Sequence, residues 1–390
     1  MATLTPKLAV QLASIAYEIK EPSSSGLYRF GKSAPDVDRA FQFDLSNGPI
    51  QGISGSILAR MLKRSSGFAM VGKGKASYQG DHVIAIRGTA SLADGITDAH
   101  IGLTGGDNNS LIHAGFNKTF QSMKPALEST LSPLLSRSSN GTVHCVGHSL
   151  GGALAHLTAD WVKRRFKNQV FLYTFGAPRV GLNGFAMKTS NNIDRIFRCT
   201  HAADPVPMVP LWPFVHAPYQ GQEVLLAPGQ GISFNAHKMA MEASPGYLNT
   251  ANNNSWGNLQ TQSGINHSTV RLQYENRHQA SFSGYWAEKI SSGLITLLKD
   301  AGYYSAVMAQ AAIGTGLTFY DMLARTLEAV AKASTRLAEQ TRGLLGHMLV
   351  FARQLVTTVT DLTFNVIRWV FDKTLAALYR SARDAISSVM

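Results

Sequence analysis

Cysteine is nearly missing: Cys145 and Cys199 are the only two in 390 residues. Two cysteines cannot build the disulfide framework of a small secreted scaffold. The expectation is two buried thiols kept reduced. Charge is also scarce, at 15% Asp, Glu, Lys and Arg against 45% apolar residues. That balance excludes a disordered chain and supplies a large core. No clean membrane span is present. The uncharged run from Ala301 to Tyr320 contains Gly302, Gly314, Gly316 and several polar residues, and the apolar run from Leu344 to Leu378 is broken by Arg353, Asp361, Arg368, Asp372 and Lys373.

A secretory signal is lacking too. Lys7 alone precedes the first apolar residues, and Gln11, Ser14, Tyr17 and Glu18 interrupt them. The segment reads as an amphipathic helix ending near Pro22. The expectation is synthesis in the cytoplasm without a cleavable signal, and export by a signal-independent route. Zinc-finger spacings and RNA-binding signatures are missing, which argues against a nucleic-acid partner although the formal net charge is +12. That excess of positive charge favours an anionic surface such as a phospholipid bilayer. The cluster Lys163, Arg164, Arg165 and Lys167 reads as the solvated end of a helix.

What is present is an alternation. Strand-like runs GFAMVG, HVIAIRG, TVHCVG, QVFLYTFG, RIFRCT and QEVLLA lie between about residues 68 and 226, with helical patterns at 115–136 and 150–167. Strands alternating with helices predict a mostly parallel sheet covered by helices. Residues 228–264 are rich in Asn, Gly, Ser and Gln and read as a long surface insertion. Proline is absent after Pro245, and residues 317–389 read as long helices. The expected division is an α/β unit over 1–290 and a C-terminal helical region over 291–390.

Residues 147–152 read GHSLGG, a Gly-x-Ser-x-Gly pattern. The β run TVHCV leads in and the helical run LGGALAHLTADWV leads out, which is the strand–turn–helix setting this motif requires. Such a turn strains the serine backbone, and Gly147 and Gly151 remove side chains that would collide across it. The helix that follows aims its first amides and positive dipole end at the serine hydroxyl. Ser149 is therefore the candidate nucleophile. A serine hydroxyl needs a base to take its proton, and the base needs a carboxylate to fix its tautomer. Asp204 follows the strand run RIFRCT and should reach the same sheet edge, in a loop stiffened by Pro205 and Pro207.

Further segments now fall into order: IAIRGTASLADGITD at 84–98, IHAGFNKTF at 112–120, TFGAPRVG at 174–181, DPVPMVP at 204–210 and VHAPYQGQEVLL at 215–226. With GHSLGG they resemble the class 3 lipases, the fungal-type triacylglycerol lipase family. The resemblance covers roughly residues 8–285. It implies an α/β-hydrolase fold, with Ser149 as nucleophile and Asp204 as acid. Thr89 and the Leu150 amide would be the oxyanion donors, and residues 91–104 a mobile lid. Neither cofactor nor metal is implied. The Asp-Trp pair common after the family's RGT-like segment is replaced by Asp94-Gly95, which puts lid function in question.

For the base, His216, His237, His267 and His278 follow Asp204. His216 sits where the family often has a structural histidine. His267, in INHSTVRLQY, resembles the family's His-Ser segment ahead of a terminal helix and is the preferred assignment. His278 and His237 remain as competitors. The expected activity is release of fatty acid from a membrane phospholipid, of phospholipase A type, with a neutral-glyceride lipase as the nearest alternative. A catalytically silent, membrane-binding lipase fold is the alternative of another class. The combination of a class 3 core with an added helical region also resembles bacterial phospholipase effectors delivered by type VI secretion. That resemblance implies an immunity or secretion-apparatus protein as partner, besides the lipid substrate.

Overall fold

The structure, a computed structural model, describes residues 2–18, 34–45, 48–53, 65–88, 102–135, 141–219, 221–229, 231–242, 244–263, 269–311, 316–355 and 358–389. Helix α1 (Pro6–Ile15) is followed by α2 (Pro35–Ala40) and by strands β1 (Phe41–Phe43), β2 (Ile50–Ile53), β3 (Ser65–Gly74) and β4 (His82–Ile86). Next come β5 (Leu103–Gly105), β6 (Leu111–His113), α3 (Ala114–Leu135), β7 (Val143–His148) and α4 (Leu150–Phe166). The chain continues through β8 (Val170–Phe175), β9 (Gly181–Leu182), α5 (Asn183–Asn192), β10 (Arg195–His201), β11 (Phe214–Val215) and β12 (Gln222–Ala227). It then forms α6 (Tyr247–Thr250), β13 (Thr261–Ser263), α7 (Gly284–Asp300), α8 (Tyr304–Ala311), α9 (Gly316–Ala333), α10 (Thr335–Phe351) and α11 (Phe364–Ser387).

The main sheet has the order β1-β3-β4-β7-β8-β10-β12-β13, with β2 beside β3. β4, β7, β8, β10 and β12 pair in parallel, while β3 and β13 join the two sides antiparallel. Every residue of β4, β7 and β8 is buried, as expected of parallel strands covered on both faces. Their side chains alternate between two cores. Ile84, Ile86, Val143, Cys145, Val170 and Leu172 face the helices α3 and α4. Val83, Ala85, Val146, Phe171, Tyr173 and Phe175 face the core that α1 joins. The fold is an α/β-hydrolase with a C-terminal helical extension, and all six strand-like runs of the sequence are strands of this sheet.

Cys145 on β7 and Cys199 on β10 are fully buried and free. Burial pushes both thiols well above their ordinary range. No helix among the described residues is long and apolar enough to cross a membrane.

The boundary expected at 290/291 needs correction, because α7 (Gly284–Asp300) runs straight across it. The helices beyond it share one core with the sheet: Leu323, Leu327, Leu345, Val370 and Leu378 belong to the same buried cluster as Phe116 and Leu154. Tyr320 on α9 donates its hydroxyl to the Trp212 carbonyl at 3.1 Å. The long helices expected over 317–389 are α9, α10 and α11. α10 stops at Phe351 and α11 begins at Phe364, and residues 356–360 read Val-Thr-Thr-Val-Thr. β-Branched residues lose side-chain freedom in a helix, so this stretch is a poor place to continue one.

Candidate active site

β7 ends at His148, and α4 starts at Leu150. Ser149 lies between them with φ 56° and ψ −132°, a left-handed conformation that side-chain-bearing residues rarely adopt. Its amide donates to the Phe175 carbonyl at 2.9 Å, anchoring the turn to β8. The glycines are steric necessities. A Cβ on Gly147 would lie 2.3 Å from the Gly151 carbonyl oxygen, and one on Gly151 would lie 2.3 Å from that of Ile86. The segment after β4 also passes near the turn, since a Cβ on Gly88 would lie 3.2 Å from the Ser149 Cβ.

Asp204 follows β10 at the same sheet edge and is 1% exposed. Its Oδ1 accepts the Val206 amide at 2.9 Å. Its Oδ2 accepts the Tyr247 hydroxyl at 2.7 Å and the Nδ1–H of His237 at 2.9 Å. Three donors thus fix the carboxylate. Gly176, at φ +57°, leaves the room it needs, because a Cβ there would lie 2.6 Å from Oδ2. The other ring nitrogen of His237, Nε2, accepts the Ser149 hydroxyl at 2.8 Å. Serine, imidazole and carboxylate therefore form one continuous chain of hydrogen bonds, with His237 fully buried.

This geometry corrects the assignment of the base. The imidazole between Ser149 and Asp204 is His237, where His267 was expected. Residue 267 lies outside the described residues, as does Thr89. His278 is exposed and donates Nδ1–H to the Glu275 carbonyl at 3.0 Å, away from the triad. His216 donates Nε2–H to the Pro207 carbonyl at 2.8 Å, a structural role as expected. Of the segment expected as a lid, residues 91–101 lie outside the described residues, and Leu103 and Thr104 belong to β5, paired with β6.

The supposed surface insertion at 228–264 is corrected with it. Ala236, His237, Tyr247 and Ala251 within it are fully buried. The Met239 carbonyl accepts the Leu248 amide at 3.0 Å, and the Lys238 carbonyl accepts that of Tyr247 at 2.9 Å. Lys7 in α1 donates its amide to the Asn253 carbonyl at 3.0 Å, and the Trp256 indole donates to the Leu4 carbonyl at 2.7 Å. Polar composition suggested solvent, but those polar residues frame a buried turn. The signal that could have found the base was the apolar-flanked run NAHKMAME around His237. Tyr247 had no such signal.

A family model described as Lipase (class 3) matches residues 83–214, a span that holds Ser149 and Asp204 but ends before His237. The chain is 32% identical over 132 residues to a secreted mono- and diacylglycerol lipase of Fusarium solani, covering 33% of this chain and 39% of that protein. It is 32% identical over 134 residues to a secreted mono- and diacylglycerol lipase of Penicillium cyclopium, covering 33% of this chain and 43% of that protein. The chain thus spans about two-fifths of the length of these curated relatives. A solved structure of a mono- and diacylglycerol lipase from Aspergillus oryzae is 24% identical, covering 59% of this chain and 82% of that one, with a TM-score of 0.42. The two curated relatives are secreted proteins. On that finding the expectation of a cytoplasmic product exported by a signal-independent route is withdrawn.

Proposed function

We propose that this chain, which carries the class 3 lipase sequence over residues 83–214 on an α/β-hydrolase fold, is a serine hydrolase of lipid acyl esters. The observation that carries the reading is the unbroken hydrogen-bond chain Ser149–His237–Asp204. Ser149 Oγ attacks the ester carbonyl carbon as its proton passes to His237 Nε2. Asp204 stabilises the imidazolium through Nδ1–H. The family resemblance assigns the developing oxyanion to the Leu150 amide, at the start of α4, and to Thr89. Each such donor is worth about 3–4 kcal/mol of barrier. His237 returns the proton to the leaving alcohol, and the acyl group remains on Ser149. Water, deprotonated by the same imidazole, then releases the fatty acid and restores the hydroxyl.

Acylglycerol esters are the substrates named for the relatives that share this segment, and they are the first choice here. A phospholipid acyl ester, cleaved in phospholipase A fashion, is the second reading, favoured by the net charge of +12. The experiment compares fatty-acid release from emulsified diacylglycerol and from phosphatidylglycerol vesicles, with Ser149→Ala as control. Release that the control lacks supports the hydrolase, and the preferred lipid decides between the substrates. If folded wild-type protein releases nothing and takes up no fluorophosphonate on Ser149, the fold is a silent lipid-binding module.

A further inference from the structure

The triad leaves two polar side chains beside it, one buried and one partly buried, without a part in proton transfer. His148 is the last residue of β7 and is fully buried, and Tyr17 lies in the turn just after α1. The geometry points to both as positioning residues for the base, linking the segment after β4 to the main chain of His237. The inference rests on His237 being the base proposed above.

The direction of every hydrogen bond in this link is fixed. The His237 carbonyl can only accept, and His148 Nε2 lies 2.8 Å from it, so Nε2 carries the hydrogen. A buried imidazole is neutral here, since burial and the neighbouring His237 both hold its pKa well below the usual histidine range. Its Nδ1 is then an acceptor, and the Tyr17 hydroxyl donates to it at 2.9 Å. The same phenol oxygen accepts the Gly88 amide at 3.1 Å. Gly88 directly precedes Thr89 in the chain. One polarised line therefore runs from the Gly88 N–H through Tyr17 and His148 to the carbonyl of His237.

The base needs such a tether because it stands on no strand or α-helix. It lies at the end of a short 3-10 turn, Phe234–His237, in a segment rich in Asn, Gly and Ser. A neighbouring carbonyl is held in the same manner, with His201 Nδ1–H donating to Ala236 at 2.6 Å. Two buried imidazoles, from the ends of β7 and β10, thus grip consecutive carbonyls. The rings of His148 and His237 also pack together, with centroids 4.7 Å apart and planes tilted 32°. A neutral ring there leaves the imidazolium of the reaction unopposed, whereas a cation would repel it.

The test uses Tyr17→Phe, which keeps the ring and removes the hydroxyl, together with His148→Gln and His148→Leu. Gln offers an amide N–H toward the His237 carbonyl and Leu does not. Active sites are counted by fluorophosphonate titration, and kcat and KM for a diacylglycerol ester are measured per titrated site. Tyr17→Phe should lower kcat about 10- to 100-fold, as a misplaced base does, with KM within about twofold. His148→Gln should retain about tenfold more kcat than His148→Leu. A purely structural role would reduce thermal stability or the number of titrated sites and leave kcat per site at the wild-type value, which overturns the proposal. Should His148→Leu fail to fold, Tyr17→Phe decides by the same criterion. A folded wild type inactive on every lipid overturns the hydrolase reading and this one with it; an active wild type with unchanged variants overturns this one alone.

Discussion

At the scale of single residues, Asp204 shows how much a buried anion demands. It is 1% exposed and takes hydrogen bonds from an amide, a phenol and an imidazole. Bonds to a charged acceptor are each worth about 1.5–3 kcal/mol. Tyr247→Phe removes one of them and should lower kcat/KM about tenfold on a soluble short-chain ester. His237→Ala removes the base itself and should cost about 10⁴-fold or more in the same assay. His267→Ala should stay within about threefold of wild type. A collapse of activity in His267→Ala, with His237→Ala active, would contradict the geometry at Ser149.

Among the elements, α10 carries the sharpest steric constraint. A Cβ on Gly343 would lie 1.8 Å from the Leu272 carbonyl oxygen, and one on Gly346 would lie 2.8 Å from the Tyr274 ring. By helix propensity alone, alanine in place of an interior glycine stabilises by about 1 kcal/mol. The collision with backbone decides the sign here, because backbone cannot rotate away. Gly343→Ala should destabilise by about 1–3 kcal/mol, read as a lower urea midpoint. The strands and the two helices flanking Ser149 were legible in the sequence because burial on both faces writes continuous apolar runs, as in VHCV and VFLYTF, and because the Gly-x-Ser-x-Gly turn leaves a steric signature. The base was legible only as one of several candidate histidines. Its segment is held by hydrogen bonds from His148 and His201, distant in the chain, to its own Ala236 and His237 carbonyls, and sequence periodicity carries no trace of such bonds. The N-terminal contribution was hidden for the same reason: Tyr17 stands 131 positions from His148 in the chain.

For the whole molecule, the C-terminal helices and the helical face of the sheet form one core. Trp212 packs against Phe319 at a centroid distance of 5.7 Å, and Arg179, 2% exposed, pairs with Glu288 on α7 at 2.6 Å. A truncation ending at residue 300 would strip apolar partners from that core. It should collect in the insoluble fraction, while the full chain stays soluble in the same preparation; equal solubility would show that the helices are dispensable for folding. The sulfur atoms lie at the centre of this arrangement. Cys145 and Cys199 stand on β7 and β10, the two strands that flank β8, and neither has any exposed surface. A maleimide dye therefore has nothing to attack in the native protein. It gains both sulfurs together once the middle of the sheet separates, so its uptake clocks the opening of the entire fold.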